Sequence, residues 1–263
     1  MLSALTASKA VLVVGHPGHE LRVYGWMAAT RPVVHVVTDG SGHGGVSRIA
    51  STTAVLDDVA ATPGSIYGRM TDRDIYAAML AGDHQRFIAL AEELADSFVR
   101  DRVDVVAGDA IEGFNPSHDV CRYVIDTAVR LACQASGRRI TCYAFPLDAA
   151  PGQPPARVRG DAVEIRLDDR LLERKLQAAH GYAELEGEVT RTLDRFGAEP
   201  FRTEYLWPAD LHDPHAWELD RVPFYETYGG QRVTSGTYQR VVTFDQHVKP
   251  LADALWCHSA ARV

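Results

Sequence analysis

Through the first half of the chain, short uninterrupted apolar runs alternate with segments whose apolar positions recur every three to four residues. Val11 to Val14, Pro32 to Thr38, Val103 to Ala107 and Ile140 to Phe145 are rich in β-branched residues and do not alternate with polar ones. That pattern predicts strands buried on both faces. Between them, Glu20 to Thr30, Ser47 to Ala61, Asp72 to Leu80, His84 to Arg100 and Ser117 to Gln134 have the helical period, and Pro63-Gly64 reads as a chain break. Strands alternating with helices predict βαβ units. The expected class is α/β: a Rossmann-like, mostly parallel sheet with helices on both faces.

The pattern changes near residue 149. Ala149 to Gly160 is a Pro- and Gly-rich loop, and Ala162 to Leu167 reads as an edge strand. Asp168 to Leu193 reads as one long charged amphipathic helix with Lys175, Glu184 and Glu188 on its wet faces. Phe201 to Tyr228 is rich in aromatics, Pro and His without a clear period, and Phe244 to His258 reads as a terminal helix. The expectation is a single domain over 1–263, with a βαβ core in 1–148 and a C-terminal extension over the sheet edge in 149–263. Trp207, Trp217, Tyr225 and Tyr228 are read as packing residues first and as sugar-stacking residues second. The paired glycines of Tyr225 to Gly230 mark a candidate lid.

Composition narrows the function classes. The chain has 263 residues, is 46% apolar and carries a net charge of −8. It has the bulk for a large core but not the basic surface of a phosphate-tracking nucleic-acid binder. No apolar run approaches the ~20 residues of a membrane span. Met1 to Lys9 is too short and too weakly apolar for a signal peptide. Cys121, Cys133, Cys142 and Cys257 form no C-x-x-C pair, which suits buried thiols in a reducing cytoplasm. The expected partner is a small-molecule substrate, with neither nucleic acid nor membrane; a homo-oligomer is left open.

The candidate chemistry lies at strand ends. His16-Pro17-Gly18-His19-Glu20 follows the first strand, and His118 follows the third. In a parallel sheet both ends open on the edge where ligands bind. His16, His19 and His118 converging there would make a zinc-type site with an open position for water, one Zn2+ per chain. His35 lies inside a strand and reads as a core histidine. His84, His180, His212, His215, His247 and His258 have no metal-like context. A rival site is Gly40-Ser41-Gly42-His43-Gly44-Gly45, which fits G-x-G-x-x-G, with Asp57 and Asp58 about where a ribose-binding acid is sought. Asp39 beside that loop repels a pyrophosphate, and the glycines follow the second strand instead of the first. A flexible loop at the rim of a site is the favoured reading.

Val11 to Glu20 resembles the opening of the PIG-L/LmbE-like zinc-dependent N-deacetylases, a strand followed by His-Pro-Asp-Asp-Glu. Val33 to Gly40 resembles their second strand ending in Thr-Asp-Gly. Val105 to Asp119 resembles their strand, Asp, Gly and His-Pro-Asp-His segment. The matches keep order and spacing over roughly the first 145 residues. The resemblance implies a metal-dependent hydrolase acting on the C–N bond of a small polar amide, such as an acylated amino sugar or natural-product intermediate. It carries His16 and His118 over as zinc ligands. It matches Asp109 to the family's strand-end Asp, the first candidate for proton movement, with Glu112 next for its place on the loop leading to His118; Asp39, which matches Thr-Asp-Gly, is a better candidate than Glu20 for orienting a ligand histidine.

Three departures change the expected chemistry. Gly18 stands where the family has its general base, His19 where it has a zinc-binding aspartate, and Asn115 where it has an oxyanion-supporting histidine. Three neutral imidazoles leave the ion its full charge, which lowers the pKa of a bound water toward about 7 and offsets part of the missing base. Asn115 still offers a hydrogen bond to an oxyanion. Arg22, Arg48 and Arg69 are candidates for an anionic substrate group, against solvated surface roles. Two alternatives stand beside the deacetylase: a retasked member that keeps the metal but runs another reaction, and a nucleotide-binding module built on Gly40 to Gly45.

Overall fold

The computed structural model describes residues 8–42, 44–211 and 222–261; Met1 to Ala7, His43, His212, His215 and Trp217 lie outside the described residues. The apolar runs occupy the middle of one sheet, where water is excluded from both faces. They are β1 (Ala10–Val14), β2 (Val33–Thr38), β4 (Val105–Asp109) and β5 (Thr141–Phe145), and every residue of β1 and β4 is buried. With β3 (Thr62–Met70), β6 (Val163–Arg166) and β7 (Thr203–Pro208), the sheet order is β3-β2-β1-β4-β5-β7-β6. Strands β1 to β5 pair in parallel; β7 is antiparallel to β5 and to β6.

This order places a topological switch point between β1 and β4. Strand β1 pairs with β2 on one side and β4 on the other, with Val13 opposite Gly108. The segments leaving the C-terminal ends of β1 and β4 therefore diverge across one crevice, the usual ligand position in open α/β sheets.

Alternation along β1 feeds two cores. Val11 and Val13 pack with α4 (His84–Arg100), α5 (Pro116–Ser136) and α9 (Lys249–Ala260), through residues such as Phe87, Ile125 and Leu251. Leu12 and Val14 face the other way, into a core with Trp26 and Met27 of α1 (Tyr24–Thr30), Leu56 of α2 (Ile49–Val59) and Tyr182. Helix α3 (Asp72–Ala81) begins at a capping box in which Thr71 and Asp74 satisfy each other's backbone N–H groups. Together these are the expected α/β layers, a mostly parallel sheet with helices on both faces.

Several expectations need correction. Pro63-Gly64 does not end the element: Thr62–Met70 is a strand whose pairing with β2 contains register shifts, and its edge position tolerates the proline. The long helix is two, α6 (Asp169–His180) and α7 (Glu186–Phe196). The chain turns at Gly181 because Tyr182 is buried, its hydroxyl 2.7 Å from Thr52 Oγ1. Tyr225 to Gly230 lies within a helix, α8 (Phe224–Thr234), with Gly229 packed against Val241. Lys175 is not on a wet face. It is buried and donates from Nζ to Glu204 Oε1 at 2.8 Å. Glu204 also accepts the N–H groups of Gly25 (2.8 Å) and Trp26 (3.0 Å), so it holds the first turn of α1 to the extension.

Glu204→Ala removes three acceptor contacts and leaves Lys175 buried without its carboxylate. Unfolding in urea is expected to show a loss of ~3–5 kcal/mol; a loss below ~1 kcal/mol would show that the extension is held some other way.

His35 is buried as expected, and its Nδ1 accepts the Ile66 N–H at 3.3 Å. Burial pushes it down to about 4. The folded state thus binds this proton less readily than the unfolded chain, so stability is lost as pH falls from ~6.5 toward about 4, by ~1.4 kcal/mol per pH unit. The difference in unfolding free energy between wild type and His35→Gln should shrink across that window; a constant difference would refute the assignment.

Candidate functional site

After β1 the chain runs Gly15-His16-Pro17-Gly18 and enters a 3-10 turn at His19–Val23. Gly18 sits at φ 104, a left-handed conformation that L side chains rarely adopt. The turn sets His19 beside His16, with ring centroids 5.3 Å apart. His118 lies in the first turn of α5, which Asn115 caps and Pro116 opens. Its ring is 5.1 Å from that of His16 and 4.4 Å from that of His19. The three histidines singled out in the sequence meet at the switch point, edge to face.

Two carboxylates stand behind two of the rings. Asp109, at the end of β4, accepts the Gly15 N–H (2.7 Å) and the His19 Nδ1–H (3.0 Å) on Oδ2, while its buried Oδ1 has no protein partner. Burial pushes Asp109 up to about 7, against the pull of the Gly15 N–H. Asp72, on the first residue of α3, lies with Oδ1 2.9 Å from His16 Nδ1. Burial opposes its ionisation, but the His16 ring, Thr38 and the Gly42 N–H together hold it well below the usual carboxylate range. His19 and His118 are pushed well below the ordinary imidazole value, first by burial and then by the neighbouring histidines. Both rings are therefore neutral at pH 7, the form that binds metals.

The remaining sequence candidates separate by position. Glu20 is buried and accepts the Gly18 N–H at 2.7 Å, so it stabilises the turn; burial pushes it up to about 7. Asp39 accepts the Ser41 N–H at 2.9 Å. Behind the rings stand Asp72 and Asp109. Glu112 accepts three N–H groups, from Leu147 (2.8 Å), Asp148 (2.9 Å) and Ala149 (3.3 Å), and so anchors that loop. Asp119 accepts the N–H groups of Glu112 and Gly113. Asn115 Oδ1 accepts from the Ser117 N–H and from the Tyr76 hydroxyl, each at 3.0 Å. Arg22, whose Nη2 donates to Leu147 O, and Arg48 both exert their charge on His19. Arg69 instead pairs with Glu93 at the surface.

Sequence reasoning missed Asp72, Thr38 and Ser117 as partners of His16. Thr38 ends β2, the neighbour of β1, and its place inside the Thr-Asp-Gly match was the available signal. Asp72 had none beyond its place at a helix start. Of the aromatics, Trp207 and Tyr225 are buried. Tyr228 is exposed and continues a stack with Phe224 (5.8 Å) and Phe114 (5.1 Å from Phe224), beside the loop that carries Asn115.

In the glycine loop, four N–H groups are already accepted: Gly40 by Thr38 Oγ1, Ser41 by Asp39, Gly42 by Asp72 (2.6 Å) and Gly45 by the Ser41 carbonyl. Two of the acceptors are carboxylates, which would repel a pyrophosphate.

The chemistry of the ring cluster suits a zinc-type ion: imidazoles close together, two of them backed by carboxylates, and an unpartnered buried oxygen on Asp109. Among the described residues no three His, Cys, Asp or Glu side chains form a ready-made cage. The fit is thus one of donor type and proximity.

No family profile matches the chain, and no curated protein does. Solved structures do. The zinc-inhibited form of teicoplanin deacetylase Orf2 aligns with TM-score 0.56 over 76% of this chain and 97% of that one, at 14% identity. A deacetylase–teicoplanin complex from the teicoplanin biosynthetic pathway aligns with TM-score 0.53 over 77% and 100%, at 14% identity. A deacetylase-bog complex from the same pathway aligns with TM-score 0.55 over 76% and 97%, at 16% identity. The chain has the fold of these deacetylases.

Within that fold, position 18 disfavours any side chain. A Cβ on Gly18 would lie 2.6 Å from Leu185 Cδ1, in addition to its unfavourable φ. Gly18→Asp is therefore expected to destabilise the chain by roughly 2 kcal/mol or more in a denaturant titration. Leu185→Ala in the same chain should recover part of that loss; full tolerance of Gly18→Asp alone would show that the position is open.

Proposed function

We propose that this chain is a metal-dependent hydrolase of the deacetylase type, acting on the amide C–N bond of a small polar substrate such as an acylated amino sugar or natural-product intermediate. His16, His19 and His118 hold one divalent ion of the zinc type. The meeting of these three rings within 4.4–5.3 Å at the switch point carries the reading. When bound, such an ion supplies Lewis acidity to a carbonyl and acidifies a water. Asp109 and Asp72 fix the His19 and His16 rings and strengthen them as donors. Asn115 has its Oδ1 committed to the helix cap and keeps its amide N–H donors for a developing oxyanion. Arg22 and Arg48 favour a substrate with an anionic group near His19.

One observation favours a second reading. Position 18 disfavours a side chain and holds no carboxylate, and Glu112 is anchored to the 147–149 backbone. The site then lacks a mobile acid at the family's base position, which suits a metal-assisted reaction other than deacetylation: another hydrolysis, an elimination or a rearrangement.

Metal analysis by mass spectrometry on untagged protein, loaded with one equivalent of ion, tests both readings. About one ion per chain is expected in wild type and none in His19→Ala or His118→Ala. Asp109→Asn should weaken binding by about 10–100-fold. Hydrolysis of N-acetyl amino sugars by the loaded protein supports the deacetylase reading; bound metal with no amide cleaved across such a panel supports the second. No metal in wild type overturns both.

A further inference from the structure

His16 shows which of its nitrogens is available. Two oxygens lie close to Nδ1: Thr38 Oγ1 at 2.8 Å and Asp72 Oδ1 at 2.9 Å. The Thr38 proton is drawn to oxygens, the Gly15 carbonyl and the Asp72 carboxylate, and a carboxylate only accepts. Nδ1 must therefore carry the proton, and in the neutral ring Nε2 is the bare lone pair. It is the one nitrogen through which His16 can ligate a metal.

That lone pair is already covered. Ser117 Oγ lies 2.7 Å from His16 Nε2 and also 2.7 Å from Asn115 Oδ1. The hydroxyl has one proton, with His16 Nε2 and Asn115 Oδ1 the two acceptors at 2.7 Å. Asn115 Oδ1 already receives the Ser117 N–H and the Tyr76 hydroxyl, whereas Nε2 has no other protein donor among the described residues. The bare Nε2 favours donation to His16, and in either orientation the hydroxyl oxygen occupies the Nε2 axis. A zinc-type ion sits about 2.0–2.1 Å from a ligating nitrogen, along the same lone pair. It cannot share that axis with an oxygen at 2.7 Å.

We infer that Ser117 is a gate on the metal site: its hydroxyl covers His16 Nε2 in the metal-free protein and must turn away before an ion can bind. Asn115 Oδ1 is the acceptor that receives the displaced hydroxyl proton. Ser117 is a positioning residue acting through His16. The inference rests on the three-histidine metal reading above, and it predicts metal uptake slower and weaker than the ligand set alone would give.

The test compares metal-free wild type, Ser117→Ala and Ser117→Thr by competition for Zn2+ and Co2+ against a chelator of known affinity. Ser117→Ala should bind about five- to tenfold more tightly, the equivalent of one ordinary net hydrogen bond, and take up Co2+ faster by its visible absorption. Ser117→Thr keeps the hydroxyl and should return to the wild-type value. Imidazole 15N spectra of the metal-free proteins should show the Nδ1–H tautomer at His16 in all three, with the Nε2 signal of Ser117→Ala shifted toward an unbonded lone pair. Equal or weaker binding by Ser117→Ala, or an Nε2–H tautomer, overturns the gate while leaving the metal reading intact. No binding in any of the three proteins overturns both.

Discussion

The site depends on one buried carboxylate. Asp109 ends β4 and reaches across to the end of β1, where a single oxygen takes both the Gly15 N–H and the His19 ring. Without a group of that kind, the two strand ends at the switch point would diverge with an unsatisfied amide between them. The parallel pairing of β1 with β4 brings the segments side by side, but pairing alone does not set ring orientation. Asp109 converts strand register into side-chain geometry. It can do so because it is excluded from water, where a hydrogen bond is electrostatically stronger and an unpaired polar group costs most.

Burial then determines protonation throughout the crevice. Asp109 and Glu20 are both pushed up to about 7, while His19 and His118 are pushed down. Each group moves toward its neutral form because desolvation dominates. The exception is Asp72, which stays ionised through its contacts with His16, Thr38 and Gly42. Charge in this region is concentrated on a few residues, and Asp72 connects two features that the sequence presented separately: the first histidine and the glycine loop. The Gly42 amide serves to hold that arrangement, which ties the glycine loop to the first histidine.

The parts legible in the sequence were those encoded locally. Uninterrupted apolar runs marked β1, β2, β4 and β5, and strand-end position singled out His16, His19 and His118 from the other histidines. Elements set by distant partners were not legible. Strand β7 carries Glu204 on an inward position, which breaks the apolar alternation, and only Lys175 and the start of α1 make that burial tolerable. Strand β3 contains a Pro-Gly pair that reads as a break in isolation but is acceptable on a sheet edge. The division of α6 from α7 depends on Tyr182 finding Thr52, 130 residues earlier. Asp72, Thr38 and Ser117 reach His16 from three different elements, and no spacing rule connects residues so far apart in the chain.

The C-terminal extension is therefore part of the site's chemistry. Tyr182 and Leu185 follow α6 and pack onto the turn that carries the histidines, with Leu185 against the face of Gly18 that a side chain would occupy. A side chain at position 18 would have to hold a φ of 104 and displace the end of Leu185. The absence of an acid at 18 is thus matched by apolar packing from another part of the fold, which distinguishes it from a single lost residue leaving an empty space. Leu185 packs beside Gly18 and a histidine stands at the next position, so these two positions present an imidazole and no carboxylate to the crevice. On the function proposed above, an ion held by neutral imidazoles, with Asn115 and the two nearby arginines, would do what a carboxylate base would otherwise do.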